Sequence, residues 1–144
     1  MGIFDIFRRK RKQNPFEELL NDPVIKSQRE MFELLSAENA LEGCSTDEIP
    51  SGIGEFGYDA TNPIPTNTPI GSNLYLGGLR TPDGQRINYR RIGPVVVDNI
   101  KKPVDAYQLS DQSDNDLCII YISPYQARNS RKAPDGFSQV SPLL

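Results

Sequence analysis

Closely spaced oxygen-bearing side chains give this sequence its first opportunity for chemistry. Residues 111–116 read DQSDND, and their alternating carboxylate, hydroxyl and amide groups are typical of the first half of a calcium-binding loop. Such a loop needs glycine at its sixth position and glutamate at its twelfth, but this chain has Asp116 and Ile122 there. We therefore predict an ordinary hairpin loop and no metal site.

A second motif, GIGEFG at residues 52–57, has the G-x-G-x-x-G spacing of phosphate-binding loops. That chemistry requires a strand before the glycines and, after them, a helix whose amides face the anion. Here TDEIPS precedes the motif and YDATNPIP follows it, so neither element is expected. The motif favours a flexible connector, and we predict no cofactor.

The residue inventory restricts catalysis. The chain has no histidine, which removes the commonest general base near neutral pH and a usual zinc ligand. Its two cysteines, Cys44 and Cys118, are far apart and are expected to be reduced thiols. A hydrolase or nuclease built on carboxylates is an alternative, which predicts that two of four acids meet at one water. Those acids are Asp59, Asp98, Asp105 and Asp135. Because their spacing does not bring them together, we expect no catalytic activity.

The chain divides into five segments that differ in charge and in their content of glycine and proline, and these segments predict the elements that position the groups above. The segments are a basic amphipathic N-terminus (1–13), a helical region (14–43), a connector rich in glycine and proline (44–72), a β-sheet body (73–137) and a C-terminal tail (138–144). The prolines of the connector are expected to exclude a helix there. This order predicts an α+β fold, in which N-terminal helices precede a small, mostly antiparallel sheet of hairpins or a meander.

Two helix starts are predicted before residue 43. Asparagine or aspartate followed by proline, as at Asn14 and Asp22, supplies a cap and a first helical residue. The second helix should run to about Leu41, with Gly43 ending it in a left-handed conformation. Spacing predicts that its apolar stripe consists of Val24, Ile25, Met31, Phe32 and Leu35.

Alternating apolar and polar residues predict the strands. NLYLGGL is predicted as a strand, TPDG as a tight turn and QRINYRRI as the returning strand of a hairpin. In that returning strand Ile87 and Tyr89 would face the core, while Arg86 and Arg90 would face outward. VVV, PVDAYQL and LCIIYI are predicted as further strands, the last of them central because it is apolar on both faces.

Charge is segregated along the chain. The first twelve residues hold five cations and one acid, whereas residues 17–59 hold eleven acids and two cations. The N-terminus could therefore contact an anionic membrane weakly, although a tail or a docked helix would have the same sequence. The residues predicted for this contact are Ile3, Phe4, Phe7, Arg8, Arg9, Lys10, Arg11 and Lys12. Nucleic acid is not expected as a partner, because the rest of the chain has no strong positive field.

Two other surfaces could bind a protein partner. Arg86 and Arg90 would share one outer face of a strand and attract anions, together with Lys101 and Lys102. Alternatively, the acidic residues of the second helix could dock on a basic protein and neutralise it, as an immunity protein does. These residues are Glu30, Glu33 and Glu38.

The sequence thus favours a small intracellular domain that binds a protein partner or acts as an adaptor, without catalysis. We expect a cytoplasmic location, at the inner face of the membrane if the N-terminus binds lipid. The carboxylate hydrolase and the acidic neutraliser are the two alternatives.

Overall fold

The computed structural model describes residues 21–140 together with Pro15 and Glu18. The helices of this part are α1 (Pro23–Glu42) and α2 (Thr68–Gly78); its strands are β1 (Ile64–Pro65), β2 (Leu79–Arg80), β3 (Asn88–Val95), β4 (Val104–Ser110), β5 (Asp116–Ser123) and β6 (Ser138–Gln139). The chain divides into two compact units within α1, between Leu34 and Leu35. All six strands and α2 lie in the second unit.

Helix α1 begins where its capping residue predicts. The Oδ1 atom of Asp22 accepts hydrogen bonds from the amides of Val24 (2.9 Å) and Ile25 (3.4 Å), and Pro23 is the first helical residue. The predicted apolar stripe is only partly buried, because Val24 and Met31 are exposed. The other predicted helix start, at Asn14, lies outside the described residues apart from Pro15 and Glu18.

The left-handed cap predicted at Gly43 is wrong. Gly43 is not among the glycines with positive φ, and its amide continues the helical pattern by donating to the Asn39 carbonyl (2.8 Å). Glycine is needed for a different reason: a Cβ atom there would lie 2.6 Å from the carbonyl oxygen of Tyr125. A close approach between two backbones therefore fixes this residue.

The α+β class is confirmed, and the main sheet is mixed. Its four strands are ordered β1–β5–β4–β3, and a separate two-stranded sheet pairs β2 with β6. Strand β1 is parallel to β5, whereas the other neighbours are antiparallel. Strands β4 and β5 match PVDAYQL and LCIIYI, and β5 is internal to the sheet as predicted. The predicted VVV strand is wrong, since β3 ends at Val95, its first valine.

The segment NLYLGGL forms the second half of helix α2 up to Gly78, and only Leu79, its last residue, belongs to a strand, so the helices are not all N-terminal. Pro69 did not prevent this helix, because it occupies the first turn, where a missing amide proton costs no helical hydrogen bond. Tyr75, Leu76 and Leu79 are buried in the core. Their spacing fits one face of a helix as well as it fits a short strand, so the local pattern was ambiguous.

The predicted TPDG turn is present, but the hairpin around it is minimal. The Thr81 amide donates to the Gln85 carbonyl (2.9 Å), and Gly84 has a φ of 78°. Only an isolated bridge, between Arg80 and Arg86, joins the two sides. Strand β3 pairs along its length with β4 instead.

The core contains residues from α2, the sheet and the connector. Ile87 is 7 % exposed, as predicted, but Tyr89 is 39 % exposed, so its predicted burial is wrong. Tyr89 lies on the last strand of the sheet, where its ring contacts Tyr107 edge to face with 6.1 Å between the centroids. The connector supplies Phe56 and Ile64 to this core.

The polar loops also take defined conformations. In the β4–β5 hairpin loop, Asp111 Oδ1 accepts hydrogen bonds from the amides of Ser113 and Asn115, both at 2.9 Å. The glycine motif is a packed turn: Gly54 and Gly57 have φ values of 103° and 79°. We interpret both loops as local turns closed by their own side chains and glycines.

Asn67 is the centre of a hydrogen-bond network that we call the Asn67 network. Its Nδ2 atom donates to the carbonyls of Gln126 (3.0 Å) and Ala127 (3.3 Å), and its Oδ1 atom accepts from the Ser36 hydroxyl (3.2 Å). Its backbone amide donates to Asn129 Oδ1 (2.8 Å). One side chain thus joins α1, the start of α2 and the segment after β5.

The next residue, Thr68, has a φ of 65°, which is uncommon for a β-branched side chain. Buried hydrogen bonds hold it there. Its amide donates to the Pro124 carbonyl (2.9 Å), and its own carbonyl accepts from the Ser72 hydroxyl (3.3 Å). The same Pro124 carbonyl also accepts from Asn39 Nδ2 (3.0 Å). The surrounding structure therefore stabilises a strained turn.

Within the described residues, no helix has the length and hydropathy needed to cross a bilayer.

We predict that Asn67→Ala lowers the free energy of unfolding by about 1–3 kcal/mol, because it leaves half-buried carbonyls and a hydroxyl without their partner. The measurement is urea denaturation followed by circular dichroism. Asn73→Ala is the matched control, because Asn73 is exposed on α2 and makes only a long contact with Tyr89 (3.4 Å). Equal destabilisation by the two changes would contradict the central role of Asn67.

Candidate functional site

The outer edge of β3 has no pairing strand among the described residues. In the sheet order β3 is the last strand, with β4 on one side only. Among the described residues, the backbone groups of Asn88–Val95 hydrogen-bond to β4 and to no other backbone segment. This leaves a row of donors and acceptors along an eight-residue strand. We call this row the β3 edge.

The sequence of β3 gives its edge a positive charge. The strand contains Arg90 and Arg91 and no acid, and Arg86 comes just before it. Arg86 and Arg90 are both exposed, as predicted. Register places Arg90 beside Gln108 of β4, which in turn lies beside Ile119 of β5, so these three residues share the outer face of the sheet.

Arg91 lies on the opposite face and is already paired. Its Nη2 atom is 2.8 Å from Oδ1 of Asp105, and this carboxylate raises the pKa of the guanidinium. Nearby, the Tyr89 hydroxyl is 3.4 Å from Oδ1 of Asn73 on α2. The strand therefore has one ion-paired arginine, Arg91, on its helix-facing side and one exposed arginine, Arg90, on its outer face.

Irregular geometry interrupts the far end of β3. The register with β4 shifts between Arg91 and Gly93, which makes Ile92 a bulged residue. Ile92 is 49 % exposed, and Pro94 has no amide proton to donate. Such features protect an edge from indiscriminate pairing. Accordingly, the regular part of the edge lies toward its arginine-rich start.

The two predicted lysine partners of these arginines do not behave alike. Lys102 lies 3.6 Å from Glu38 and 3.9 Å from Glu42, and its ammonium group is 4.8 Å from the centroid of Tyr125. Its charge is therefore balanced by two carboxylates of α1, so it does not extend the cationic surface of Arg86 and Arg90. Lys101 is exposed.

The predicted acidic docking surface is likewise divided. Glu38 contacts Lys102, as described, and belongs to the second unit. Glu30 and Glu33 are exposed and belong to the first. The three acids therefore do not have equivalent surroundings.

A further charged cluster joins the connector to the segment after β5. Asp47 Oδ1 accepts from the Arg128 guanidinium (2.9 Å) and from the Arg131 amide (2.9 Å). Lys132 lies 3.1 Å from Glu48. Each of these charged groups has a partner of opposite charge or a hydrogen-bond donor within the cluster. We therefore assign the cluster a structural role.

The carboxylates of the hydrolase alternative have separate surroundings. Asp59 accepts from the Glu55 amide (2.7 Å), whereas Asp105 is paired with Arg91. Asp98 and Asp135 are exposed. Across the described part of the chain, no three acids or cysteines are grouped in a way that could hold a metal ion.

The cysteines are both free thiols. Cys118 packs against the core, and burial raises the pKa of its thiol. Cys44 is half-buried, and its backbone amide donates to the Gln126 side chain (2.8 Å). A raised pKa disfavours the reactive thiolate of Cys118.

The predicted membrane-contact residues, from Ile3 to Lys12, lie outside the described residues. Their contact with an anionic membrane therefore stays a prediction.

Sequence reasoning named Arg86 and Arg90 but missed the open edge beside them. Pairing partners far apart in sequence decide which strand is last in a sheet, so no local signal could reveal it. It also missed the Asn67 network. One signal was available there, since Asn67 and Pro69 repeat the cap-and-proline pattern of a helix start.

Comparisons with family models, with curated proteins and with solved structures give no significant match to this chain. Functional inference must therefore come from the geometry of the chain itself.

We predict a pH-dependent contribution from Asp47. Its pKa lies below the ordinary 3.8, because the Arg131 amide and the Arg128 side chain stabilise the carboxylate. A lowered pKa means that this stabilisation is present above pH 3.8 and is lost as the pH falls below it. Denaturation curves from neutral pH to about pH 3 should show Asp47→Asn less stable than the parent, with a difference that is largest near neutral pH and shrinks below pH 3.8. A difference that stays constant over this range would contradict the prediction.

Proposed function

We propose that this chain is a non-catalytic module that binds an extended segment of a partner protein by adding it as a further strand to the β3 edge. The single observation behind this proposal is the outer edge of the eight-residue strand β3, which no other described strand pairs with. Strand addition is a common mode of peptide recognition, in which main-chain hydrogen bonds supply affinity and side-chain contacts supply specificity.

Charge complementarity suggests the chemistry of the partner segment. Arg86 and Arg90 are exposed, and no described carboxylate forms an ion pair with either of them. An acidic segment would be attracted to this start of the edge. A second copy of β3 would instead bring further arginines onto the same ladder, which is unfavourable. We therefore propose an acidic partner and not self-association.

The geometry also suggests how strong such binding would be. Each main-chain hydrogen bond contributes a net of about 0.5–1.5 kcal/mol, and the bulge at Ile92 limits how many can form. The arginines are exposed to solvent, so their attraction is screened by salt. We expect reversible binding that weakens at high ionic strength.

The test uses the full chain and a fluorescently labelled peptide of alternating glutamate and valine, titrated by fluorescence anisotropy. We predict that the double variant Arg86→Ser/Arg90→Ser binds about tenfold more weakly at low salt, since two rim charges are removed. The matched control is Lys26→Ser/Arg29→Ser, which removes two other exposed cations. Equal loss in both variants would mean that only net charge matters, and would overturn the β3 edge as the site.

A second peptide separates strand addition from simple charge attraction. It has the same side chains but carries N-methyl groups on alternate residues, so it cannot form a ladder. Strand addition predicts that this peptide binds much more weakly than the unmodified one. Equal affinity would overturn the proposed mode of binding.

We also propose that residues 1–12 give the protein a weak contact with anionic membranes at the inner face of the cell membrane. Four apolar residues followed by five cations support this idea, since each cation near an anionic surface contributes about 1 kcal/mol. Cosedimentation with phosphatidylserine liposomes should detect the full chain at low salt but not at high salt. A full-length variant with glutamine at positions 8–12 should stay in solution. Equal sedimentation of both proteins would contradict the contact.

The two alternatives have less support. A neutraliser of basic proteins would use Glu38, which is already paired with Lys102. A carboxylate hydrolase would use Asp59 and Asp105, which have different partners.

A further inference from the structure

A surface depression of about 440 Å³ lies between the TPDG turn and the β4–β5 hairpin loop. It adjoins the start of β3, because the side-chain amide of Gln112 donates to the Arg86 carbonyl (2.9 Å). The Asn88 side chain also donates to the carbonyl of Asp111 (3.2 Å). These bonds connect the wall of the depression to the arginine-rich start of the β3 edge.

The lining of the depression combines two kinds of chemistry. The lining includes two acidic residues, Asp83 and Asp111, and three apolar residues, Pro82, Leu117 and Phe137. Leu117 is 43 % exposed, so part of this apolar wall faces solvent. The remaining lining residues are neutral polar side chains, and none is a cation.

The carboxylate of Asp111 is held ionised by its own loop. The Asn115 amide and side chain, together with the Ser113 amide, donate to it and lower its pKa. It therefore stays negative at neutral pH, while its partners hold the loop in place. Asp83 lies at an exposed turn position next to Gly84.

We propose that this depression binds an arginine side chain of a protein ligand. A guanidinium group is planar and cationic, so it can lie against the ring of Phe137 while it faces the carboxylates. The aliphatic stem of the same side chain would cover the exposed part of Leu117. A purely apolar side chain would leave the acidic residues of the lining without a partner, and an acidic side chain would be repelled by them.

The site also adds to the proposed function. It rests on that function in one respect, because the arginine is proposed to belong to the segment that pairs with β3. A segment that pairs with the start of β3 would lie near the depression, because Gln112 of its lining contacts the Arg86 carbonyl. The partner motif is then an acidic stretch with an arginine at one end. Its acids face Arg86 and Arg90, and its arginine enters the depression.

The test of the site uses a small probe that cannot form a strand. N-acetyl-arginine amide is titrated into the isotope-labelled full chain, and backbone amide shifts are followed by NMR. We expect the shifts to concentrate at residues 81–85, 111–113 and 137. The citrulline analogue has nearly the same shape but no charge, and it should bind about fivefold more weakly.

Asp83→Asn should reduce the affinity for the arginine probe by about fivefold, whereas Asp98→Asn, a matched change at another exposed acid, should not. Asp83 is suitable because its side chain makes no hydrogen bond within the described residues, so the fold should survive its replacement. Shifts scattered over the surface, equal binding of citrulline, or equal effects of the two variants would each overturn the proposal. Since the probe does not pair with β3, these results are independent of the peptide titrations.

Discussion

The fold depends on a small number of buried and half-buried amide side chains, with Asn67 at their centre. The segment that follows β5 has little secondary structure of its own, so its carbonyl groups must find donors elsewhere. Asn67 and Asn39 provide those donors, to Ala127 and Pro124 among others. This arrangement holds Thr68 in its left-handed conformation and sets the direction in which α2 begins. Once α2 is fixed, Tyr75 and Leu76 can cover the sheet.

The two edges of the sheet differ. On one side, β1 pairs with β5, and the Gly57 carbonyl accepts from the Tyr121 amide (2.8 Å), so the connector covers that edge. On the other side, the chain turns from β3 to β4, and no further strand of the described residues pairs with β3. The fold is thus closed where the connector packs and open where β3 lies. This asymmetry underlies the proposed binding mode.

Ion pairing separates the cations of the described chain into two groups. Arg91, Lys102, Arg128 and Lys132 each have a carboxylate within 4 Å, and they join segments that are distant in sequence. These pairs are partly exposed, so each contributes little to stability. Arg86 and Arg90 have no such partner among the described residues. Cations that the fold does not use are the ones available to a ligand.

Local interactions account for what the sequence alone determined: the capped start of α1, the TPDG turn, the β4–β5 hairpin loop and the α+β class. Each depends on residues a few positions apart, such as Asp22 with Val24 or Asp111 with Asn115. Contacts between distant segments decided the rest. They made a helix of NLYLGGL, required glycine at residue 43 where Tyr125 approaches, and left Tyr89 exposed at the end of the sheet. Arg86 and Arg90 could be recognised from strand alternation, but the open edge beside them could not, because strand order depends on which segments pair across the whole chain.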